Sequence, residues 1–290
     1  RYECAHTELR RVLFAFLFLK GGRKMIRVTL YCREMKANFI LFLIFVGVLT
    51  MYSVMIVMMF DPKLGDSLRM MSESMPEIFA AFGMADVGTT LLEFVAGYLY
   101  GMLFVAFPGV FIIILAGRLV AKYVDHGSMV YFLTVPKKRW SFVLTQAAVL
   151  VTYIALMVIY VTGLILITSH ILFPDEMEIK EFFNLNIGLF GLLVFFAGVC
   201  FFPSCLCNDS KRATGIGAGV IIYSILVQMI AQVGEKFENL RLITPLTLFQ
   251  IDNFLIGKQE AWVGCSILYV VGILLIVAGI VIFHRRDLPI

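Results

Sequence analysis

The stretch of residues 38–60 reads NFILFLIFVGVLTMYSVMIVMMF and is the clearest indication of the fold class. It contains no charged side chain, and as a helix it is long enough to cross about 30 Å of hydrocarbon, which takes about 20 residues. Because lipid offers no hydrogen-bonding partner to an open backbone, such a segment must be helical. The stretch therefore predicts a membrane-spanning helix.

Five further stretches along the chain have the same character. The six predicted spans lie near 38–60, 97–121, 141–168, 184–206, 213–233 and 261–283. The 290 residues are 61% hydrophobic and 15% charged, whereas a soluble domain is about 45–50% apolar and about 25% charged. This composition excludes a water-soluble globule, and the alternating pattern of barrel strands is absent. We predict an all-α, polytopic membrane protein with six transmembrane helices.

The charges between the predicted spans set the orientation. Residues 61–93 and 175–181 are mainly acidic, whereas residues 118–139, from the end of the second span to the start of the third, contain five cations against Asp125. The sign of the charge alternates at every crossing. Since positively charged segments stay in the cytoplasm, we expect both termini to be cytoplasmic.

The N-terminal residues 1–24 precede the first methionine, Met25. Codons for Lys20-Gly21-Gly22 can spell a purine-rich bacterial ribosome-binding site just before Met25. We therefore expect residues 1–24 to be an over-extended translation start and residues 25–290 to form a single six-span domain. The alternative is a short apolar anchor at 12–19, which is too short to span a bilayer.

Residues 25–38 form an amphipathic pattern before the first span. The apolar side consists of Ile26, Leu30, Tyr31 and Met35. The charged side consists of Arg27, Arg33, Glu34 and Lys36. The pattern predicts an interfacial helix that lies flat among the lipid headgroups before bending into the first span. A second short helix is predicted at 78–82, after the capping-box pattern Ser74-Met75-Pro76-Glu77.

The chemistry that is missing from the spans excludes several function classes. Apart from Arg118 near the end of the second span, the predicted spans contain no Asp, Glu, Lys or Arg. Ion-coupled carriers usually need such groups inside the membrane. No phosphate-binding loop, HExxH or GxSxG motif is present, and Cys205 and Cys207 lack further ligands for a metal. We expect no catalytic residue, cofactor or metal in this chain.

The uncharged polar residues of the spans allow two interpretations. They include Asn186 and the glutamines Gln146, Gln228 and Gln232. Such side chains either form hydrogen bonds between helices or line a substrate path, and the first is the commoner role.

Two small-residue pairs predict close helix packing. Gly97 with Gly101, and Gly215 with Gly219, have the GxxxG spacing. That spacing lets two helix backbones approach closely. Either pair would suit a dimer seam, and packing within one subunit is equally compatible.

The most informative segment is residues 125–140, which read DHGSMVYFLTVPKKRW. Asp125 and Ser128 can cap a helix that begins near Gly127, and Pro136 ends it. Three cations follow, and Trp140 suits the membrane interface. Taken alone, the segment favours a cationic membrane anchor, although a short helix held between two spans can also transmit force from a partner.

This segment resembles the turn between the second and third spans in permease subunits of ABC exporters of the second type, the ABC-2 family transporter proteins. Those turns combine an acidic residue, a Gly-Ser/Thr pair, an apolar helix, a Ser/Thr-x-Pro corner and basic residues. The matching positions are Asp125, Gly127-Ser128, Phe132-Leu133, Thr134-Val135-Pro136 and Lys137-Lys138-Arg139. Val130 departs from the pattern, because family members often have a charged residue there. Residues 74–83, Thr244-Pro245-Leu246 and residues 283–288 resemble further segments of these permeases.

The resemblance implies a transmembrane permease subunit that forms a substrate path across a bacterial cytoplasmic membrane. A second permease subunit and a separate ATPase subunit, which carries ATP and Mg, would be its partners. The residues expected to contact the ATPase are Asp125, Gly127, Ser128, Pro136, Lys137, Lys138 and Arg139. No feature indicates a nucleic-acid partner or a particular substrate. The alternative is a non-transporting membrane protein, such as an assembly factor or the membrane module of a sensor.

Overall fold

The computed structural model describes residues 27–60, 74–75, 90–125, 139–174, 176–232, 244–255 and 257–285. These residues form helices and contain no strand. The helices are α1 Val28–Ala37, α2 Phe39–Met59, α3 Leu91–Asp125, α4 Arg139–Leu172, α5 Ile179–Leu206, α6 Ser210–Gln232, α7 Ile251–Leu255 and α8 Gln259–Arg285, with a 3-10 turn, Pro245–Leu248, before α7. The predictions for residues 1–24 and 78–82 fall outside the described residues.

Six helices within the described residues, α2 to α6 and α8, are long and apolar enough to cross a membrane. The predicted six-span, all-α fold is therefore confirmed, and the chain is a multi-pass membrane protein. Several helices extend beyond the predicted spans, most clearly α3, which begins at Leu91. Thr90 starts it with a capping box: its hydroxyl accepts from the Glu93 amide at 3.2 Å, and its own amide donates to the Glu93 carboxylate at 3.2 Å.

The second span, α3, is not a uniform α-helix. It contains two π-helical segments, Ala96–Leu103 and Gly117–Ala121, on either side of an α-helical stretch that includes Pro108. These two segments make α3 the least regular of the described spans. Such π-helical turns are rare and frequently occur at functional sites.

The bundle is organised around α5. In the most apolar 18-residue stretch of α5, 72% is buried inside the protein, whereas the corresponding share for α6 is 22%. The closest neighbour of α5 is α8, and glycines bring their backbones together. A Cβ atom on Gly198 would lie 2.6 Å from the Gly272 carbonyl oxygen, and one on Gly191 would lie 2.8 Å from the Tyr269 ring. At Gly264, a Cβ atom would lie 2.4 Å from the Leu248 carbonyl oxygen. The first two contacts make α5 and α8 a close-packed pair, and the third packs α8 against the 3-10 turn.

The close-packed glycines are not the four predicted from GxxxG spacing. Cβ atoms on Gly97, Gly215 and Gly219 would have no neighbour within 4 Å, and Gly101 lies within the first π-helical segment of α3. Gly97, Gly215 and Gly219 therefore make no close contact among the described residues, and the seam assigned to the GxxxG pairs stays a prediction. On α6 it is the intervening Gly217 that packs, since its Cβ would lie 3.0 Å from the Cys200 sulfur.

Aromatic contacts fix the relative heights of the first three spans. Tyr153 on α4 lies 5.2 Å from the ring of Phe42 and 6.0 Å from the ring of Phe111. An α-helix rises about 1.5 Å per residue. From Tyr153 back to its first residue, α4 therefore extends roughly 20 Å, whereas α2 extends only roughly 5 Å from Phe42 back to Phe39. The adjoining ends of α3 and α4 therefore project past the start of α2. We call this the turn end of the bundle, because residues 126–138 connect α3 to α4 there.

Candidate functional site

The predicted contact segment lies at the turn end. Asp125 is the last residue of α3, where it is exposed, and Arg139 is the first residue of α4. The other predicted contact residues, which are Gly127, Ser128, Pro136, Lys137 and Lys138, lie outside the described residues. What the structure describes is the pair of helices that hold this segment, together with α1, which packs against both.

Helix α1 is attached to α4 through its own backbone at two points. The Arg27 amide donates a hydrogen bond to the Thr145 hydroxyl at 3.0 Å, and the Tyr153 hydroxyl donates to the Met35 carbonyl. The two contacts are separated by the same number of residues on both helices. A helix lying flat across a span would meet it at one level only, so α1 runs side by side with the first turns of α4.

The buried face of α1 consists of Leu30, Tyr31 and Glu34. Burial raises the pKa of the Tyr31 phenol above its ordinary value, so this side chain stays neutral at physiological pH. Glu34 is only 3% exposed, although we predicted it on the charged side of the helix. That prediction was wrong, and the spacing contains the signal: Glu34 follows Leu30 by four residues, which places both on one helix face.

Glu34 links α1 to the other arm of the turn. The Tyr123 hydroxyl, two residues before the end of α3, donates a hydrogen bond of 2.6 Å to Glu34 Oε1. The Tyr123 ring also packs edge-on against Phe142 of α4, with 5.8 Å between ring centroids. A buried carboxylate needs such a donor, because an unpaired buried charge is costly. Thus α1, α3 and α4 form one interlocked unit beside residues 126–138.

The sequence of the chain matches a known family. A family model described as "Protein of unknown function (DUF2705)" matches residues 54–289. The match includes the complete helices α3 to α8 and therefore five of the six spans, but it does not include α1. The chain belongs to the DUF2705 family. No curated protein matches it.

Inside the bundle of this DUF2705 protein, Asn186 joins three helices. Its side-chain oxygen accepts from the Tyr100 hydroxyl of α3 and from the Thr162 hydroxyl of α4, both at 2.8 Å. Its amide nitrogen donates to the Phe182 carbonyl at 2.8 Å. Tyr100 lies in the first π-helical segment. At Asn186 the interpretation as hydrogen bonding between helices is therefore confirmed.

Gln146 of the DUF2705 chain behaves differently from Asn186. It is fully buried on α4, and neither atom of its amide has a hydrogen-bond partner. The side-chain oxygen of Gln228 on α6 is also buried without a partner. Because a buried, unpaired amide is unfavourable, Gln146 is the clearest unsatisfied group of the described spans. No sequence signal distinguishes it from Asn186.

The described part of the DUF2705 chain contains no group of three or more His, Cys, Asp or Glu side chains placed to hold a metal ion. Cys205 is buried next to α8, where its sulfur would lie 3.4 Å from a Cβ atom on Gly279. The arrangement that stands out among the described residues is the pair of projecting helix ends held together by α1.

Proposed function

We propose that this DUF2705 protein is the transmembrane permease subunit of an ATP-binding-cassette exporter of the second type. The observation that carries the proposal is the projection of α3 and α4 past the start of α2, with the permease-like turn between them. A turn held on two rigid helix ends gives an external partner a lever on the bundle. The basic residues around the turn suit the cytoplasmic side of a bacterial cytoplasmic membrane.

The energy source in this proposal is a separate ATPase subunit. ATP and Mg would bind to that partner, whose closure would push on residues 125–139. The contact would use Asp125 and Arg139 at the two helix ends, together with the intervening residues that resemble the family pattern. This chain would then be no enzyme itself, and its task would be to convert the push into a change of the substrate path.

The second partner in this proposal is another permease subunit, which completes the substrate path. The surface that supports this assignment is α6, the least buried of the six described spans. Gly215 and Gly219 lie on exposed parts of α6, with no neighbour within 4 Å of a Cβ atom. Since small residues let helices of two subunits approach closely, we assign the seam to this face of α6.

The test is to purify the tagged chain from its own host in mild detergent and to identify co-purifying proteins by mass spectrometry. A stoichiometric ATPase subunit is the expected result. Its absence, under conditions that preserve the permease dimer, would overturn the proposal and favour a non-transporting membrane module. Within a co-purified complex, Gly127→Pro should abolish transport-linked ATP hydrolysis, whereas Gly127→Ala serves as the matched control.

A further inference from the structure

The attachment of α1 to α3 differs in kind from its attachment to α4. Both hydrogen bonds to α4 use backbone atoms of α1, at Arg27 and Met35. The hydrogen bond between Tyr123 and Glu34 instead joins two side chains. It also involves a carboxylate, and hydrogen bonds to ionised groups are stronger than those between neutral ones. The Tyr123–Glu34 pair is therefore a side-chain link through which α1 can follow the end of α3.

Helix α1 is in turn joined to the first span through a hydrogen-bonded turn residue. Asn38, which is buried, separates α1 from α2 by one residue. Its backbone amide and its side-chain amide both donate to the Glu34 carbonyl at 3.1 Å, and the Phe42 amide donates to the Asn38 carbonyl at 3.1 Å. Asn38 itself is a turn residue (φ −103°, ψ 4°), and these hydrogen bonds tie both helices to it. A displacement of α1 at Glu34 therefore reaches α2 directly.

The first span is free to respond to such a displacement. Only 28% of its most apolar window is buried, against 72% for α5. Its second half presents exposed Met51, Met55 and Met58 on a shallow groove that extends to Thr50. A peripheral helix with few buried side chains moves at lower cost than a central one. Of the helices that α1 touches, α2 has the smallest buried share.

We infer that Glu34 is the positioning residue through which the turn end moves the first span. When residues 125–139 are pushed, the end of α3 moves, Tyr123 takes Glu34 with it, and the junction at Asn38 displaces α2. This inference rests on the proposed permease function and adds to it the route by which the push reaches the membrane. Glu34 touches neither substrate nor nucleotide in this scheme.

The experiment uses the complex with its ATPase in lipid nanodiscs and measures the position of α2 by pulsed electron paramagnetic resonance. Spin labels are placed at Met55→Cys on α2 and Ile179→Cys on α5, two exposed positions, after the native cysteines are replaced by alanine. In the unsubstituted background we expect the distance to shift between the nucleotide-free and the ATP–vanadate states. Tyr123→Phe and Glu34→Leu should lose this shift while ATP hydrolysis continues.

Two variants separate transmission from mere stabilisation. Glu34→Gln keeps an oxygen that can accept from Tyr123, so it should retain the shift. Tyr160→Phe removes another hydrogen bond between the first span and α4, the one that joins Tyr160 and Thr50 at 3.1 Å, and it should also retain the shift. Persistence of the shift in Tyr123→Phe, or equal behaviour of Glu34→Gln and Glu34→Leu, would overturn the inference.

A measurement on the chain alone distinguishes failure of this inference from failure of the proposed function. If no ATPase co-purifies, the exporter proposal fails, but the attachment of α1 can still be tested by hydrogen–deuterium exchange. Tyr123→Phe should then speed amide exchange in Val28–Ala37 without changing exchange in α5. Unchanged exchange in α1 would show that Glu34 holds nothing in place, and the inference would fall as well.

Discussion

Gly198 on α5 and Gly272 on α8 bring the backbones of the two helices into contact. A Cβ atom on Gly198 would lie only 2.6 Å from the Gly272 carbonyl oxygen, and one on Gly272 would lie 2.9 Å from the backbone of Phe195. In both cases the obstacle is backbone, which cannot move aside like the end of a flexible side chain. The pair is therefore a point at which the core of this DUF2705 protein tolerates little change.

The first prediction concerns this contact. Gly198→Ala should lower the free energy of unfolding by about 1–3 kcal/mol, as overpacking does, because α5 and α8 must separate to admit the methyl group. The measurement is an SDS titration of the purified protein in mild detergent. The control is Gly47→Ala on α2, whose methyl group meets nothing within 4 Å. If both variants unfolded alike, close packing at Gly198 would be contradicted.

The glycines show why spacing alone did not locate the close contacts. Gly215 and Gly219 fit the GxxxG pattern but face away from the rest of the chain, whereas Gly264 and Gly272 pack tightly without that spacing. The spacing of residues along one helix shows only which of them share a face. Whether a neighbour meets that face depends on tertiary structure, which a single segment does not encode.

The second prediction concerns the start of α3. Thr90→Ala removes the capping box with Glu93 and should cost about 1 kcal/mol of stability, as loss of an N-cap typically does. The same SDS titration measures it. Thr168→Ala is the control, because that hydroxyl donates only to the Leu164 carbonyl within its own helix. An unchanged midpoint for Thr90→Ala would mean that the cap frays in the detergent-bound protein.

The spans and their ends differ in how far the sequence predicts them. Uninterrupted apolar runs located all six spans, because only a helix satisfies the backbone in lipid. The start of α3 was placed six residues late, since Glu93 looked like loop charge although it completes a Thr-x-x-Glu capping pattern. Glu34 was misplaced for a related reason: its charge was given more weight than its helical spacing from Leu30.

The third prediction concerns the hydrogen bonds of Asn186. Asn186→Leu should lower the free energy of unfolding by about 1–2 kcal/mol, because it leaves the buried Tyr100 hydroxyl without its acceptor. The Thr162 hydroxyl keeps a hydrogen-bond acceptor in this variant, because it also lies 2.7 Å from the Val158 carbonyl oxygen. The double variant Asn186→Leu/Tyr100→Phe removes both partners and should be more stable than Asn186→Leu alone. If the loss of unfolding free energy in the double variant equalled the sum of the losses in the two single variants, this account would be contradicted.

The last prediction concerns Gln146, the buried amide without a partner. Gln146→Leu should raise the free energy of unfolding by about 1 kcal/mol, because it removes an unsatisfied polar group from an apolar site. Gln259→Leu, at an exposed position at the start of α8, is the control and should change stability little. A destabilised Gln146→Leu would instead show that the amide is paired in the membrane, for example with a trapped water. Asn186 and Gln146 are both buried amides on neighbouring helices. If their leucine variants changed the free energy of unfolding in opposite directions, hydrogen bonding rather than burial would be the cause of the difference.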